Sequence, residues 1–327
     1  MSAQSRTLGR SGIKVSAVGF GCWAIGGPFT AGGKPAGWGA VHDDESVAAV
    51  QHALDAGVTF FDTADVYGTG HSEQVLARAL HGRRDEVVVA TKFGNTFNAS
   101  NRELTGTDVS DEYVRSACDA SLTRLATDRI DLYQLHVGDL PLEQVDGLLA
   151  TLESLVGAGK IRAYGWSTDD PARAAAFAAG EHCAAVQHQL NVLDDTPEML
   201  VECASHDLAS VNRGPLAMGL LSGKYGAETT LGMDDVRGDS PDWMRYFSGG
   251  RPDPVWLGRV AAVRDVLTSG GRTLAQGALG WILARHGSTV PIPGVRTVAQ
   301  AVDNAGALDF GALAPESMAE IAGLLAD

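Results

Sequence analysis

Apolar positions along this 327-residue chain follow two alternating patterns. Short β-rich runs recur eight times, at residues 15–23, 59–65, 86–94, 129–136, 161–168, 184–191, 208–216 and 289–295. Between them, segments 43–56, 72–80, 110–126, 142–156, 170–179, 196–206, 273–286 and 297–307 carry the three-to-four-residue spacing of helices that bury one face. Several open on Asp, Ser or Thr, whose side-chain oxygen can accept from the first free amides of a helix. Runs such as Glu86-Val-Val-Val-Ala90 are apolar on both faces, as in a parallel sheet covered by helices. An open doubly wound sheet typically has about five to seven strands, whereas eight regular βα units match barrel closure. The pattern therefore predicts an α/β fold, a (β/α)8 TIM barrel forming one domain over residues 1–327.

Departures from the repeat are informative. Residues 6–14 read as a hairpin turning at Ser11-Gly12, placed to plug the barrel's bottom, and residues 255–269 and 315–326 read as extra helices toward the C-terminus. The Gly-rich segment 26–42, carrying Trp38, and the long polar segment 222–254 follow the first and seventh strands. Loops at the C-terminal ends of barrel strands are where such folds keep their sites.

Composition narrows the partners. Lys and Arg number 25 against 40 Asp and Glu, a formal net charge of −15, with no basic run, which argues against nucleic acid or a membrane surface as partner. The N-terminus shows neither a secretory nor a transit pattern, and no apolar stretch approaches the roughly 18 residues of a membrane span. Cys22, Cys118, Cys183 and Cys203 have no CxxC spacing, so a reducing cytoplasm is expected. A homo-oligomer is left open.

Three motifs fail on inspection. Gly19-Phe-Gly21 suggests a dinucleotide fingerprint, but its third glycine position is Ala24 and a Gly-rich loop follows where a helix should open. Gly219-Leu-Leu-Ser-Gly-Lys224 suggests a phosphate loop, but Met218 stands at the first glycine position and Tyr225 at the Ser/Thr position. Asp62, His136 and His188 could be metal ligands, yet no HxH or HExxH spacing supports them, and His188 should point away from the face shared by Gln187 and Gln189. No metal is expected.

Asp62, Tyr67, Lys92 and His136 sit at or just beyond the ends of successive predicted strands, around one mouth. Lys92 ends an apolar run where an unpaired ammonium would be costly, and Asp62 is its natural partner. A phenol is a poor acid at neutral pH unless a nearby cation favours its ionised form, and Lys92 can supply that cation.

Asp62-Thr-Ala-Asp-Val-Tyr67-Gly, Thr91-Lys92 and Leu132-Tyr-Gln-Leu-His136 resemble the segments around the catalytic tetrad of the aldo-keto reductase superfamily, and the likeness extends from Leu8 to Asn304. It implies a barrel that binds a nicotinamide cofactor without a Rossmann domain and reversibly reduces aldehydes or ketones to alcohols. Tyr67 would protonate the carbonyl oxygen, Lys92 with Asp62 would depress the tyrosine's pKa, and His136 would orient the carbonyl. An alternative within the superfamily is a cofactor-binding regulatory barrel like the potassium-channel β subunits.

Cofactor contacts implied by the resemblance begin with Gly21, Cys22, Trp23 and Asp62. Ser167 and Gln187 would meet the carboxamide, with Thr168 where the family usually has Asn. Arg213, Gly214, Pro215 and Leu216 stand for Tyr-Ser-Pro-Leu, so an arginine replaces the tyrosine that stacks on nicotinamide. Gly219, Leu221 and Lys224 resemble the pyrophosphate-covering loop. Gly294, Arg296, Thr297 and Gln300 would hold the adenosine 2′-phosphate, and Asp303 and Asn304 would face adenine, favouring NADP(H) over NAD(H). Trp23, Phe29, Trp38, Phe93 and Trp166, with residues near Trp243, would line a pocket for a small carbonyl or alcohol substrate.

Overall fold

The computed structural model of the chain describes residues 5–239 and 241–326. Eight parallel strands form one sheet in sequence order: β1 (Phe20–Gly21), β2 (Phe60–Asp62), β3 (Val88–Phe93), β4 (Ile130–Leu135), β5 (Ile161–Ser167), β6 (Cys183–Gln189), β7 (Ala209–Arg213) and β8 (Thr289–Pro291). The sheet closes on itself where Gly19 N and Gly21 N donate to Pro291 O and Pro293 O at 2.8 and 2.9 Å, and Gly21 pairs in parallel with Gly294. A Cβ at Gly21 would lie 2.7 Å from Ile292 O, so only glycine permits this seam. Predicted strand 15–23 is thereby divided. Lys14–Ser16 pairs with Ser5–Thr7 in the N-terminal hairpin, and only Phe20–Gly21 joins the barrel.

Side chains alternate across the barrel wall. Inward lie mostly small residues, among them Ala90, Leu132, Ala163, Ala185 and Val211. Leu8, Ile13 and Val15 of the hairpin join this same cluster and seal its lower end. Outward, Phe61, Val89, Tyr133, Trp166 and Val186 pack against the ring of helices. Helix starts follow the predicted chemistry: Ser110, Asp170 and Thr297 each accept a backbone amide of the first turn, and Thr273 with Gln276 forms a reciprocal capping box.

The rim departs from the sequence reading in two places. Asn95–Asn98 and Glu103–Thr107, assigned no element above, form a hairpin that joins strands Thr30–Ala31 and Lys34–Pro35 of the first loop in a four-stranded sheet. Segment 222–254 is not irregular throughout but contains the helical turn Val236–Asp239 and the pair Phe247–Ser248 with Arg251–Pro252. Extra helices Pro254–Leu267 and Pro315–Leu324 stand where the sequence puts them. No helix among the described residues is long and apolar enough to cross a membrane.

His188 points outward from β6, with Nε2 2.7 Å from Ser210 Oγ and Nδ1 3.0 Å from Gln189 O. Burial pushes its pKa down to about 4. Between that value and 6.5 the unfolded chain binds the proton that the native one refuses, so His188 contributes stability above pH 6.5 that is lost as pH falls. Urea unfolding at pH 7.5 and pH 5 should show wild type losing roughly 2 kcal/mol more than His188→Gln on acidification; equal losses would remove His188 from the acid response.

Candidate active site

Lys92 lies on the inward face of β3, fully buried. Its Nζ donates to Asp62 Oδ1 at 2.5 Å, to Thr63 O at 2.8 Å and to Tyr67 Oη at 3.3 Å, using all three ammonium donors. Burial alone would lower the lysine's pKa, but Asp62 and Tyr67 outweigh it and the net shift is upward, so the side chain stays charged. Asp62 Oδ2 accepts from Gln134 Nε2 at 2.9 Å and from Gln187 Nε2 at 2.8 Å. Gln134 is a site residue the sequence reading passed over. Its position two residues before His136 on one strand was the available signal, because alternation puts both on the same face.

Tyr67 follows β2 on a turn that presses against Gly26. A Cβ at Gly26 would fall 2.8 Å from the Tyr67 carbonyl carbon, so the phenol's placement requires glycine there. Burial raises the phenol's pKa, Lys92 opposes the rise, and Asp62 adds to it. The net direction is upward, where the sequence reading expects depression. Desolvation of the phenolate outweighs the ammonium, and Asp62 has already offset part of that positive charge. His136 crosses the Tyr67 ring edge-on, with centroids 5.8 Å apart. Burial, then Lys92 and Arg213, hold its pKa well below 6.5, so the imidazole is neutral at pH 7. Its Nδ1 is buried with no hydrogen-bond partner among the described residues.

Aromatic rings wall the mouth. Trp23 stacks on Tyr67 at 6.0 Å and meets Trp38 edge-on at 5.3 Å and Trp243 at 6.4 Å. Phe93 and Trp166, expected in this wall, belong elsewhere: each follows an inward residue by one position, so each points outward and is fully buried, Phe93 against Tyr133 and Trp166 against Phe177. Phe29 is buried against Gly37 of its own loop.

The two long loops are joined across the rim. Val236 N donates to Gly37 O at 2.8 Å, and Trp38 pairs with Asp235. Arg237 binds Asp235 through Nε at 2.8 Å and NH2 at 2.6 Å, and its guanidinium lies 4.4 Å from the Trp38 ring centre. It also donates to Met218 O at 3.1 Å. Met218 and its neighbour Ala217 hold left-handed backbone, φ 54° and 48°, a conformation that is strained without glycine.

Other expected cofactor residues are placed less uniformly. Ser167 shares the inward face of β5 with Ala163, and Gln187 that of β6. Arg213 is ion-paired with Asp169 and donates to Gln189 Oε1 at 3.3 Å, so it forms a charged bracket instead of a bare platform. Gly214 packs against the Gln189 amide, and Pro215 leads into the strained turn. Thr168 Oγ1 donates to Gly138 O at 2.8 Å. Cys22 and Leu221 are both fully buried, with their amides donating to Asp62 O and Leu216 O. Lys224 is exposed and lies over Tyr225. Arg296 donates to Trp38 O at 2.9 Å, Gln300 Oε1 accepts from Arg296 N, and Asp303 Oδ1 accepts from Thr273 Oγ1 at 2.8 Å. Among the described residues, the carboxylate and imidazole donors close enough to share a metal ion, Glu153, Glu181 and His182, gather at the start of β6.

An ammonium, a phenol and a neutral imidazole thus converge at the mouth of a parallel barrel. Comparison with known proteins gives the family. The aldo/keto reductase family pattern matches residues 17–326. Over 319 residues the chain is 32% identical to the aldo-keto reductase yakc [NADP(+)] of Schizosaccharomyces pombe, covering 94% of this chain and 87% of that one. The glycerol dehydrogenase AKR11B4 of Gluconobacter oxydans superposes with TM-score 0.82 at 29% identity, covering 100% and 96% of the two chains. An aldo-keto reductase from Klebsiella pneumoniae in complex with NADPH superposes with TM-score 0.69 at 26% identity, covering 98% and 95%. The chain belongs to the aldo/keto reductase family and is an oxidoreductase.

Replacing Arg237 by Leu should lower unfolding stability by roughly 3–5 kcal/mol, because it leaves Asp235 buried without its partner. Chemical denaturation checks this, and a Asp235→Asn, Arg237→Leu double variant should recover part of the loss.

Proposed function

We propose that the chain is an NADP(H)-dependent carbonyl reductase, reversible to alcohol oxidation, with Tyr67 as general acid. The observation that carries this reading is the three-way engagement of Lys92 Nζ by Asp62, Thr63 and Tyr67. The residues suit a nicotinamide dinucleotide: Ser167 and Gln187 present hydrogen-bonding groups inside the mouth, Arg213 adds positive charge above them, and Arg296 stands beside a helix N-terminus. The names of the yeast relative and the Klebsiella complex favour the phosphorylated cofactor. When bound, it supplies the hydride.

The chain's own groups manage the oxygen. With its pKa raised, the Tyr67 phenol remains protonated at neutral pH and can donate to a carbonyl oxygen placed before it. As charge builds on that oxygen, the proton crosses and the phenolate left behind faces the Lys92 ammonium at 3.3 Å. His136 is neutral. With Nδ1 unpartnered, its proton is better held on Nε2, giving a second donor toward the same oxygen. Gln134 and Gln187 fix Asp62, and through it the ammonium. Trp23 and Trp38 exclude water from one side.

A panel of aldehydes and ketones assayed by NADPH oxidation, and of alcohols by NADP+ reduction, tests the reading. Turnover above background in at least one direction is expected; cofactor binding with no turnover anywhere would leave a regulatory barrel instead. Tyr67→Phe should lower turnover by about 10²–10⁴-fold while NADPH still binds. Wild-type turnover in that variant would move the acid role to another group.

A further inference from the structure

Beside the segment read as the cofactor's adenosine end, the chain already holds a carboxylate. Val298 N, the first amide of helix Val298–Ala305, donates to Glu45 Oε1 at 2.9 Å. Glu45 belongs to the first turn of helix Asp43–Asp55, which follows the Gly-rich rim loop, and its side chain is exposed. The same first turn of the receiving helix is capped by Thr297 Oγ1, which accepts from Gln300 N at 3.3 Å. Arg296 leans across the same edge, donating to Trp38 O at 2.9 Å and Ala40 O at 2.5 Å. An arginine and a helix N-terminus attract an anion, and here the chain's own Glu45 answers part of that attraction.

We propose that Glu45 sets the discrimination between the phosphorylated and the unphosphorylated dinucleotide by occupying the amide that a 2′-phosphate would take. The proposal rests on the nicotinamide-cofactor reading above. One N–H cannot serve two anions, so an arriving phosphate must displace the carboxylate or lie against it. Either course weakens its binding at an exposed edge where like charges still repel over a few ångströms. A ribose carrying a free 2′-hydroxyl meets no such repulsion and can donate its hydroxyl hydrogen to the carboxylate. Glu45 thus narrows the preference for NADPH over NADH that Arg296 creates.

Dissociation constants for NADPH and NADH, read from tryptophan fluorescence, test this in wild type, Glu45→Gln and Asp44→Asn. Asp44 sits in the same helical turn and pairs with Arg78, so its loss changes net charge equally without touching the Val298 amide. Glu45→Gln should tighten NADPH about fivefold or more while NADH stays level or weakens, an effect that shrinks at about 0.5 M salt. Asp44→Asn should leave the ratio within about twofold of wild type. An unmoved ratio in Glu45→Gln, or an equal shift in Asp44→Asn, overturns the role of Glu45 alone. Failure of wild type to bind either cofactor overturns the cofactor reading itself, and the proposal with it.

Discussion

A fully buried ammonium must be answered within a few ångströms, and the answer given to Lys92 organises the mouth of this barrel. Leaving such a charge unpaired would cost several kcal/mol, a large part of the margin by which a domain is stable. Asp62 meets it from the neighbouring strand, and the second oxygen of that carboxylate gathers glutamines from β4 and β6. One carboxylate therefore ties together side chains from four of the eight strands. A slip of one residue in β3 would turn Lys92 outward and strand Asp62, so the strand register and the site chemistry are specified together.

Around this polar floor the rim is built from loops that hold one another. Trp38 is gripped on its backbone by Arg296 and on its ring by Arg237, and its own ring supports Trp23 over the phenol. Arg237 also restrains the left-handed turn at Met218. The segment expected to lie over the cofactor's phosphates and the aromatic wall beside the phenol thus share one guanidinium, and a disturbance at either is felt at the other.

The barrel and its four convergent residues were legible because both rest on period. Eight apolar runs at regular spacing specify the sheet, and polar residues at their ends stand out against an apolar background. Phe93 and Trp166 are pocket candidates by residue type, but parity turns them outward: each directly follows an inward residue, Lys92 or Gly165. Gln134 is harder to see, since an uncharged polar residue inside an apolar run gives little signal until its carboxylate partner, Asp62, is located. The hairpin over residues 95–107 and the buried Asp235–Arg237 pair are written in polar residues. Their order comes from contacts with a distant loop, which local pattern does not record.

The plug at the bottom has a consequence for how the chain reaches this state. Leu8, Ile13 and Val15 are made first, but the surface they seal includes Ala209, Val211 and Val290, and Arg10 N donates to Asp207 O at 2.8 Å. At roughly 5–20 residues per second, some tens of seconds of synthesis separate the two partners. Through that interval three apolar side chains near the N-terminus lack the part of their native cover that β7 and β8 supply. Closing the floor joins residues at opposite ends of the polypeptide, a high-contact-order step that only a nearly finished chain can take.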